Sequence, residues 1–448
     1  MTARTVVRRT KPAGAEAPAD FGLSEAGVAD LSARLGEPDW LRDRRLQAWR
    51  DFESLSMPAT TDEAWRRTDL RGLPLERISY GAASETPAPG DLLQPLAGDA
   101  HGALLVLRPG QAADRQGGEE LAGRGVVFTD WADAVRNHAE VLRMHMGAAV
   151  KDDEGKFSAL AAAGAGDGTL LYVPAGVQVE SPLHSILWAP GEGRLFTSRL
   201  LIVVEAGASA TYVHESASPS ERSGAAMHAG IVEILVGAGA KLTFVELQNW
   251  GTHVWNFTHE RARLQRDGNL DWIFGAVGSR LTKNFSELDL KGMGSQGRMS
   301  GFYFADGSQH LDHDTQQNHL AEHTTSDLLY KGALLGKSRS VWQGMIYVAP
   351  GAQKADGYQA NRNLVLSTGA RADSIPGLEI LADDVRCTHG ATVGQLEEEP
   401  VFYLMSRGIP RHEAERIVVD GFFDPIMQRI PFEGVRERFK RMISEKMA

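Results

Sequence analysis

The sequence predicts a mainly β protein whose central stretch stacks as a β-solenoid between helical ends, and three observations carry that expectation. Glycine is abundant, at 48 of 448 residues, which favours turn-rich β architecture over a helical bundle. From Gly168 to Gly394 short β-compatible segments alternate with Gly-containing turns, and helical periodicity is scarce. Turn signatures recur at Gly207-Ala208-Ser209, Gly239-Ala240-Lys241, Gly351-Ala352-Gln353 and Gly369-Ala370-Arg371. Each leads into a strand-compatible run, such as Ala210-Thr211-Tyr212-Val213 or Leu242-Thr243-Phe244-Val245. Rungs of this kind bury one another's apolar faces when stacked. A sandwich or a double-stranded barrel produces a similar pattern, and the residues alone leave those alternatives open.

In chain order, residues 1–20 are rich in Ala, Pro and Gly and read as a mobile tail. Residues 21–167 read as a helical and mixed N-terminal domain. Pro38-Asp39-Trp40-Leu41 opens a helix that brings Leu46, Trp49 and Phe52 within one arc. Thr60 followed by Glu63 fits a capping box at the start of a short helix through Trp65. Ala103–Leu107 and Val126–Phe128 read as buried strands, and Trp131, Val135, Leu142 and Met146 form a helical stripe ending at Gly147. Residues 168–394 form the β core. Residues 395–448 turn helical: Glu397-Glu398-Glu399-Pro400 places acidic residues and a proline at a helix start. Arg407-Gly408 ends that helix, and further helices cover Glu413–Asp420 and a basic stretch Val435–Met447. That last face reads as solvated, as a cap on the β stack, or as a docking surface.

Composition bounds the function. With 42% hydrophobic and 23% charged residues the chain is an ordinary globular protein. A net charge of −11 argues against general nucleic-acid binding. A single cysteine excludes an internal disulfide and any self-contained Cys-rich cluster motif. Arg8-Arg9 is followed by Thr10-Lys11-Pro12-Ala13-Gly14 without an apolar region, and no run approaches a membrane span. The expectation is a cytoplasmic protein without membrane contact.

The chemistry-bearing candidates are few. Cys387 lies on or just after the strand-like run Leu378–Val385, and residues two apart in a strand share a face, so Cys387 and His389 project side by side. A thiolate beside an imidazole can bind a thiophilic metal or activate a thiol. Equally, a lone cysteine is often a small buried hydrophobe. A closed zinc or cluster site needs about four ligands, so a metal here would borrow ligands from elsewhere. The run His310, His313, His319 and His323 invites a metal reading, but its spacing is not that of a zinc helix, and polar ladders within a β stack explain it as well. Gly332–Ser338 imitates a phosphate-binding loop, yet Lys331 stands where its first Gly is required and the following residues read as strand. Nucleotide hydrolysis therefore belongs to a partner. No nucleophile elbow or paired-carboxylate motif stands out. Asn256-Phe257-Thr258 is a glycosylation sequon without relevance in the cytoplasm.

Cys387-Thr388-His389-Gly390-Ala391-Thr392-Val393-Gly394-Gln395-Leu396 and the following Phe402-Tyr403-Leu404-Met405-Ser406-Arg407-Gly408-Ile409 resemble the SufB/SufD family, the scaffold proteins of SUF iron–sulfur cluster assembly. The resemblance extends to Glu37–Leu41, Val173–Val177 and Gln359–Leu364. It implies a right-handed parallel β-helix core, a helical N-terminal region, and a C-terminal helical domain that docks the SufC ATPase. Gly390 follows Cys-x-His where the SufB type carries Glu, so the chain is most similar to the SufD type. The implied role is a non-catalytic scaffold paired with a SufB-like paralogue and a SufC-like ATPase. A transient iron–sulfur cluster, or iron, would sit at the interface, with Cys387 and His389 facing SufB ligands and no cofactor held tightly by the isolated subunit. Phe402, Tyr403, Arg407, Gly408 and Phe422 are the implied partner-binding residues. The resemblance also allows a cysteine-desulfurase system acting on the complex, and a homodimer in isolation. Two other classes compete with the scaffold: a β-helix or cupin-like metalloenzyme using the histidine run, and a Cys387/His389 hydrolase, for which no orienting acid or oxyanion site is identifiable.

Overall fold

The computed structural model describes residues 21–81, 85–96, 102–220 and 224–447, and the tail expected over residues 1–20 lies outside them. Strands from Asp167–Val173 to Arg386–Gln395 alternate between two sheets, each strand pairing in parallel with the strand two places along the chain. One column of the ladder reads Leu281, His310, Arg339, Arg371, and the corresponding column of the other sheet reads Gln296, Thr325, Asp356, Arg386. The chain thus winds as a β-solenoid of about eight turns, not as a sandwich of antiparallel strands. The turns that reverse direction use left-handed residues where the sequence supplies glycine, as at Gly207 (φ 66°) and Gly239 (φ 64°).

Register decides which side chains face the lumen. Phe244, Trp272, Phe274, Tyr303, Tyr330 and Trp342 fill it, all buried in one cluster with aliphatic neighbours. Gly332 admits this packing, since a Cβ there would lie 2.0 Å from the ring of Tyr303. Parallel sheets must be covered on both faces because their strands carry few polar outward positions. The N-terminal region covers one sheet. The helix Asp39–Ser54 buries Trp49 and Phe52, with Leu46 of the same arc only partly buried beside them, and the all-buried helix Lys156–Gly164 lies between it and the strands. The helices Arg411–Met427 and Glu433–Met447 cover the other sheet, burying Val419, Phe423, Ile426, Val435, Phe439 and Ile443 against Val245, Ile273, Phe302 and Phe304.

Several local expectations change. The capping box at Thr60 does not form. A three-residue 3-10 turn, Glu63–Trp65, starts after Asp62, which makes no side-chain cap. Trp65 is drawn instead into an aromatic cluster with Phe157, Phe257 and Phe285, and tertiary packing overrides the local signal. The stripe from Trp131 to Met146 is buried as expected, but two helices carry it, Trp131–Asn137 and Ala139–His145, broken at His138. Ala103–Leu107 forms a buried strand, and Val127–Asp130 takes the place of the expected 126–128 strand. Both pair with solenoid strands, so the N-terminal region contributes to the sheets themselves. The second C-terminal helix is longer than the expected Glu413–Asp420, running Arg411–Met427 through Pro425. The basic last helix caps the sheet with one face and leaves Lys440 and Arg441 exposed on the other. Arg438 is buried in an ion pair with Glu215 while its apolar stripe packs on the sheet.

Candidate functional site

The two sheets end on Arg371–Ile380 and Arg386–Gln395, which pair on one side only. An unpaired strand edge presents a row of free backbone donors and acceptors, a template for a further strand. Leu378, Ile380, Leu381 and Val393 at this end are each at least 37% exposed. No helix covers it.

Cys387 pairs in register with Gly357, and His389 with Gln359. Gly357 and the fully buried Gln359, Asn361 and Asn363 continue the inward-facing column, so Cys387 and His389 share the lumen side of the last strand. Their environments differ. Cys387 is half-buried and packs against a small apolar cluster of Ile346, Val348, Ala352 and Ala355. Burial, chiefly, pushes its thiol above the ordinary range, with Asp356 adding to the rise and a hydrogen bond from the Gly357 backbone opposing it. A shift in that direction disfavours a thiolate and so lends the hydrolase reading no support. His389 is exposed, because no further rung lies above it. A Cβ added at Gly357 would stand 3.3 Å from Cys387 Sγ and 3.1 Å from His319 Nε2, so the absent side chain leaves the sulfur and a buried imidazole flanking one gap. That imidazole is held by Thr324 Oγ1 and Ser326 Oγ, each at 2.8 Å, and burial pushes its pKa down to about 4. It is neutral and occupied.

Below the last rungs the lumen is polar in a way the sequence reading did not single out. Gln317 Nε2 and Oε1, Thr315 Oγ1, His313 Nε2 and Gln359 Oε1 are buried without a hydrogen-bond partner. Tyr303 OH, Asn361 and Asn363 bond one another beside them. The signal was available: Gln359, Asn361 and Asn363 alternate in an otherwise strand-like run. Interpreting it required knowing that the inward face is polar here.

The histidine run does not converge. His310 bonds Thr68 on the outer face of its sheet, and His313 lies inside against Phe274 and Tyr303. His319 stands six residues further along the strand, about 20 Å at ~3.3 Å per residue, and His323 occupies a left-handed turn position. Burial lowers His310 and His313 to about 3. Among the described residues no three His, Cys, Asp or Glu side chains are grouped to hold a metal ion. The metalloenzyme reading of His310, His313, His319 and His323 is therefore corrected: alternation separates His310 from His313, length along the strand separates His313 from His319, and His323 lies beyond the strand in a turn.

Beyond the last strand, the helix Glu398–Ser406 buries only Val401 and leaves Phe402 71% and Tyr403 56% exposed. The Arg407 guanidinium sits 5.0 Å from the Tyr403 ring centroid, and Gly408 turns the chain at φ 88°. Phe422 is different. It is half-buried, stacked edge-on to Phe423, and its carbonyl accepts a hydrogen bond from Lys331 Nζ on the sheet. Of the five residues expected to bind a partner, four thus form an exposed surface and Phe422 fastens the helices to the solenoid.

The sequence matches the family described as SUF system FeS cluster assembly, SufBD core domain, over residues 187–422, and the SufBD protein N-terminal region over residues 103–184. It is 30% identical to the iron–sulfur cluster assembly protein SufB of Bacillus subtilis (strain 168), over 95% of this chain and 93% of that protein. It is 31% identical to SufD of the same organism, over 95% of this chain and 98% of that protein. A SufBD family protein of Staphylococcus epidermidis is 29% identical over 95% of the chain.

Proposed function

Because the chain belongs to the SufBD family of SUF iron–sulfur cluster assembly proteins, we propose that it is the SufD-type scaffold subunit of such a system. In this role it has no catalytic residues. It pairs through its open solenoid end with a SufB-like paralogue and offers its C-terminal helices to a SufC-like ATPase. A SufB at 30% and a SufD at 31% identity are about equally similar to the chain, so similarity does not choose between them. Gly390 does favour one. Its position beside His389 carries no carboxylate, which leaves one soft and one imidazole donor.

The observation that carries this reading is the uncovered end of the solenoid. There Cys387 and His389 share one face, next to an unpaired strand edge and exposed apolar side chains. Two donors are too few for a cluster, and an edge that invites a second strand supplies the route by which a facing subunit adds the rest. The nascent cluster is cargo shared across that interface. The exposed Phe402 and Tyr403, with Arg407, supply the aromatic and cationic groups in which protein interfaces are enriched.

The test is the iron and acid-labile sulfide content of the complex reconstituted with the paralogue and the ATPase. Cys387→Ser and His389→Ala should each lower it, and the double variant should lose less than the sum, since both act at one site. The exposed His389 makes its truncation nearly neutral for stability, within about 0.5 kcal/mol. Normal cluster content in both single variants would refute the assignment. Self-association of the isolated chain that competes with the paralogue would show that the same edge also pairs with itself.

A further inference from the structure

A second site lies far from the open end, where the N-terminal helices meet the first turn of the solenoid. A cleft of about 590 Å³ opens there, lined on its apolar side by Leu31, Tyr80, Trp131 and Phe196. That volume is in the range of small-molecule pockets. Four charged groups line its wall, and three of them make it unlike a packing defect. Asp167 begins the first solenoid strand, and one carboxylate oxygen accepts the Gly110 backbone N–H at 3.3 Å. The residue retains some accessible surface although protein surrounds it, and it lines the cleft. Burial pushes its pKa up to about 7, with Asp130 contributing, so the acid lacks the cation that would ordinarily compensate a carboxylate in such a position. Arg34 and Arg136 line the same cleft, and among the described residues neither has an ion-pair partner. Asp130, the other acid on the wall, is committed to Arg115. Tyr80, in turn, donates its hydroxyl to the Gly164 carbonyl at 2.8 Å and serves as a wall. The cleft therefore combines an apolar body with uncompensated charge of both signs, and those charges do not neutralise one another.

We propose that this cleft binds a small zwitterion of the amino-acid type, its ammonium group on Asp167, its carboxylate toward Arg34 and Arg136, and its apolar side chain against Trp131 and Phe196. An ammonium donor restores the ionised state of Asp167 and satisfies its open oxygen. The arginines supply the planar donors suited to a carboxylate. The site is independent of Cys387 and of the C-terminal helices.

Isothermal titration calorimetry of the full chain at pH 7.5 separates the three contributions with three probes of one body: L-phenylalanine, 2-phenylethylamine and 3-phenylpropionate. Phenylalanine should bind at least about tenfold more tightly than either single-charge analogue, the least expected from one added charge-assisted contact. Asp167→Asn, which keeps the size and the acceptor for Gly110, should erase the advantage over phenylpropionate and preserve that over phenylethylamine. Arg34→Gln combined with Arg136→Gln should do the reverse, and both changes sit at exposed or half-exposed positions that leave folding intact. Equal binding of the three probes would reduce the cleft to an apolar pocket. Absence of phenylalanine binding at about 10 mM, an affinity worth less than ~3 kcal/mol, would overturn the proposal outright, as would variants that shift no preference.

Discussion

Arg438 is the residue through which the C-terminal helices depend on the solenoid, and replacing it tests the account of that docking. Its side chain is 3% exposed, with Nη1 3.0 Å from Glu215 Oε2, and Nη2 donates to the Asp91 carbonyl. Glu215 is equally buried and has His184 Nε2 at 2.9 Å from its other oxygen. Arg438→Met keeps most of the apolar stem and removes the cation, stranding the Glu215 carboxylate between sheet and helix with a histidine alone. Breaking one side of a buried ion pair costs about 3–5 kcal/mol. The same helix buries Val435, Phe439, Met442 and Ile443, each contributing roughly 1.5–3 kcal/mol. The helix therefore stays docked on average, but its local opening becomes easier by that 3–5 kcal/mol. Amide hydrogen exchange across Glu433–Met447 should accelerate by about 10²- to 10⁴-fold while lumen strands such as Gln296–Ala305 change little. Adding Glu215→Gln should recover most of the loss, because two neutral side chains replace a stranded charge. Exchange in Arg438→Met within about threefold of the wild type, or a double variant as loose as the single one, would refute the argument.

Other predictions address partners, backbone and protonation. Phe402→Ala with Tyr403→Ala should leave the melting temperature within about a degree, since both rings are exposed, yet abolish co-purification of the ATPase; retained co-purification would remove this surface from the docking site. Gly168→Ala combines φ 141° with a Cβ 1.9 Å from the Arg199 carbonyl oxygen, so denaturant titration should show a loss of at least about 3 kcal/mol, and a loss under 1 would contradict the backbone path described. Acid should destabilise the fold. Burial lowers His214, His259, His310 and His313 to about 3 and His228 and His319 to about 4. Folded pKa values below the unfolded one mean that the unfolded chain binds more protons between about pH 6.5 and 3, so this contribution is complete above pH 6.5 and is lost as pH falls. Asp167 and Glu260, raised to about 7 by burial, and Glu246, raised by burial and by the neighbouring Glu260, act oppositely below about pH 7. Six histidines against three acids leave a net of about three protons, so stability measured near pH 5 should fall by about 4 kcal/mol per pH unit; a flat profile from pH 7 to 5 would show that these histidines are not buried neutral.

The sequence by itself determined the class of the fold. Recurrent glycine turns and strand-compatible runs mark a turn-rich β core, which the family resemblance narrowed from sandwich, barrel or solenoid to stacked rungs, and the change to helical pattern after Gln395 is local in origin, written in neighbouring residues. It also brought Cys387 and His389 to notice, since their two-residue spacing on a strand fixes a shared face. What it misjudged were signals that compete with packing. The Thr60–Glu63 pair had the form of a cap, but Trp65 gains more from Phe157, Phe257 and Phe285 than a cap provides. The histidines of 310–323 were close in sequence and separate in space, because alternation turns His310 toward Thr68 and His313 into the lumen, while His319 lies at the far end of the strand and His323 in the turn beyond it. Only the tertiary structure could decide that Arg438 belongs to Glu215, that Gly357 leaves a gap between Cys387 and His319, and that Asp167 opens on a cleft with Arg34 and Arg136. Each joins residues distant in the chain, and the register of a solenoid, accumulated rung by rung, sets which of them meet.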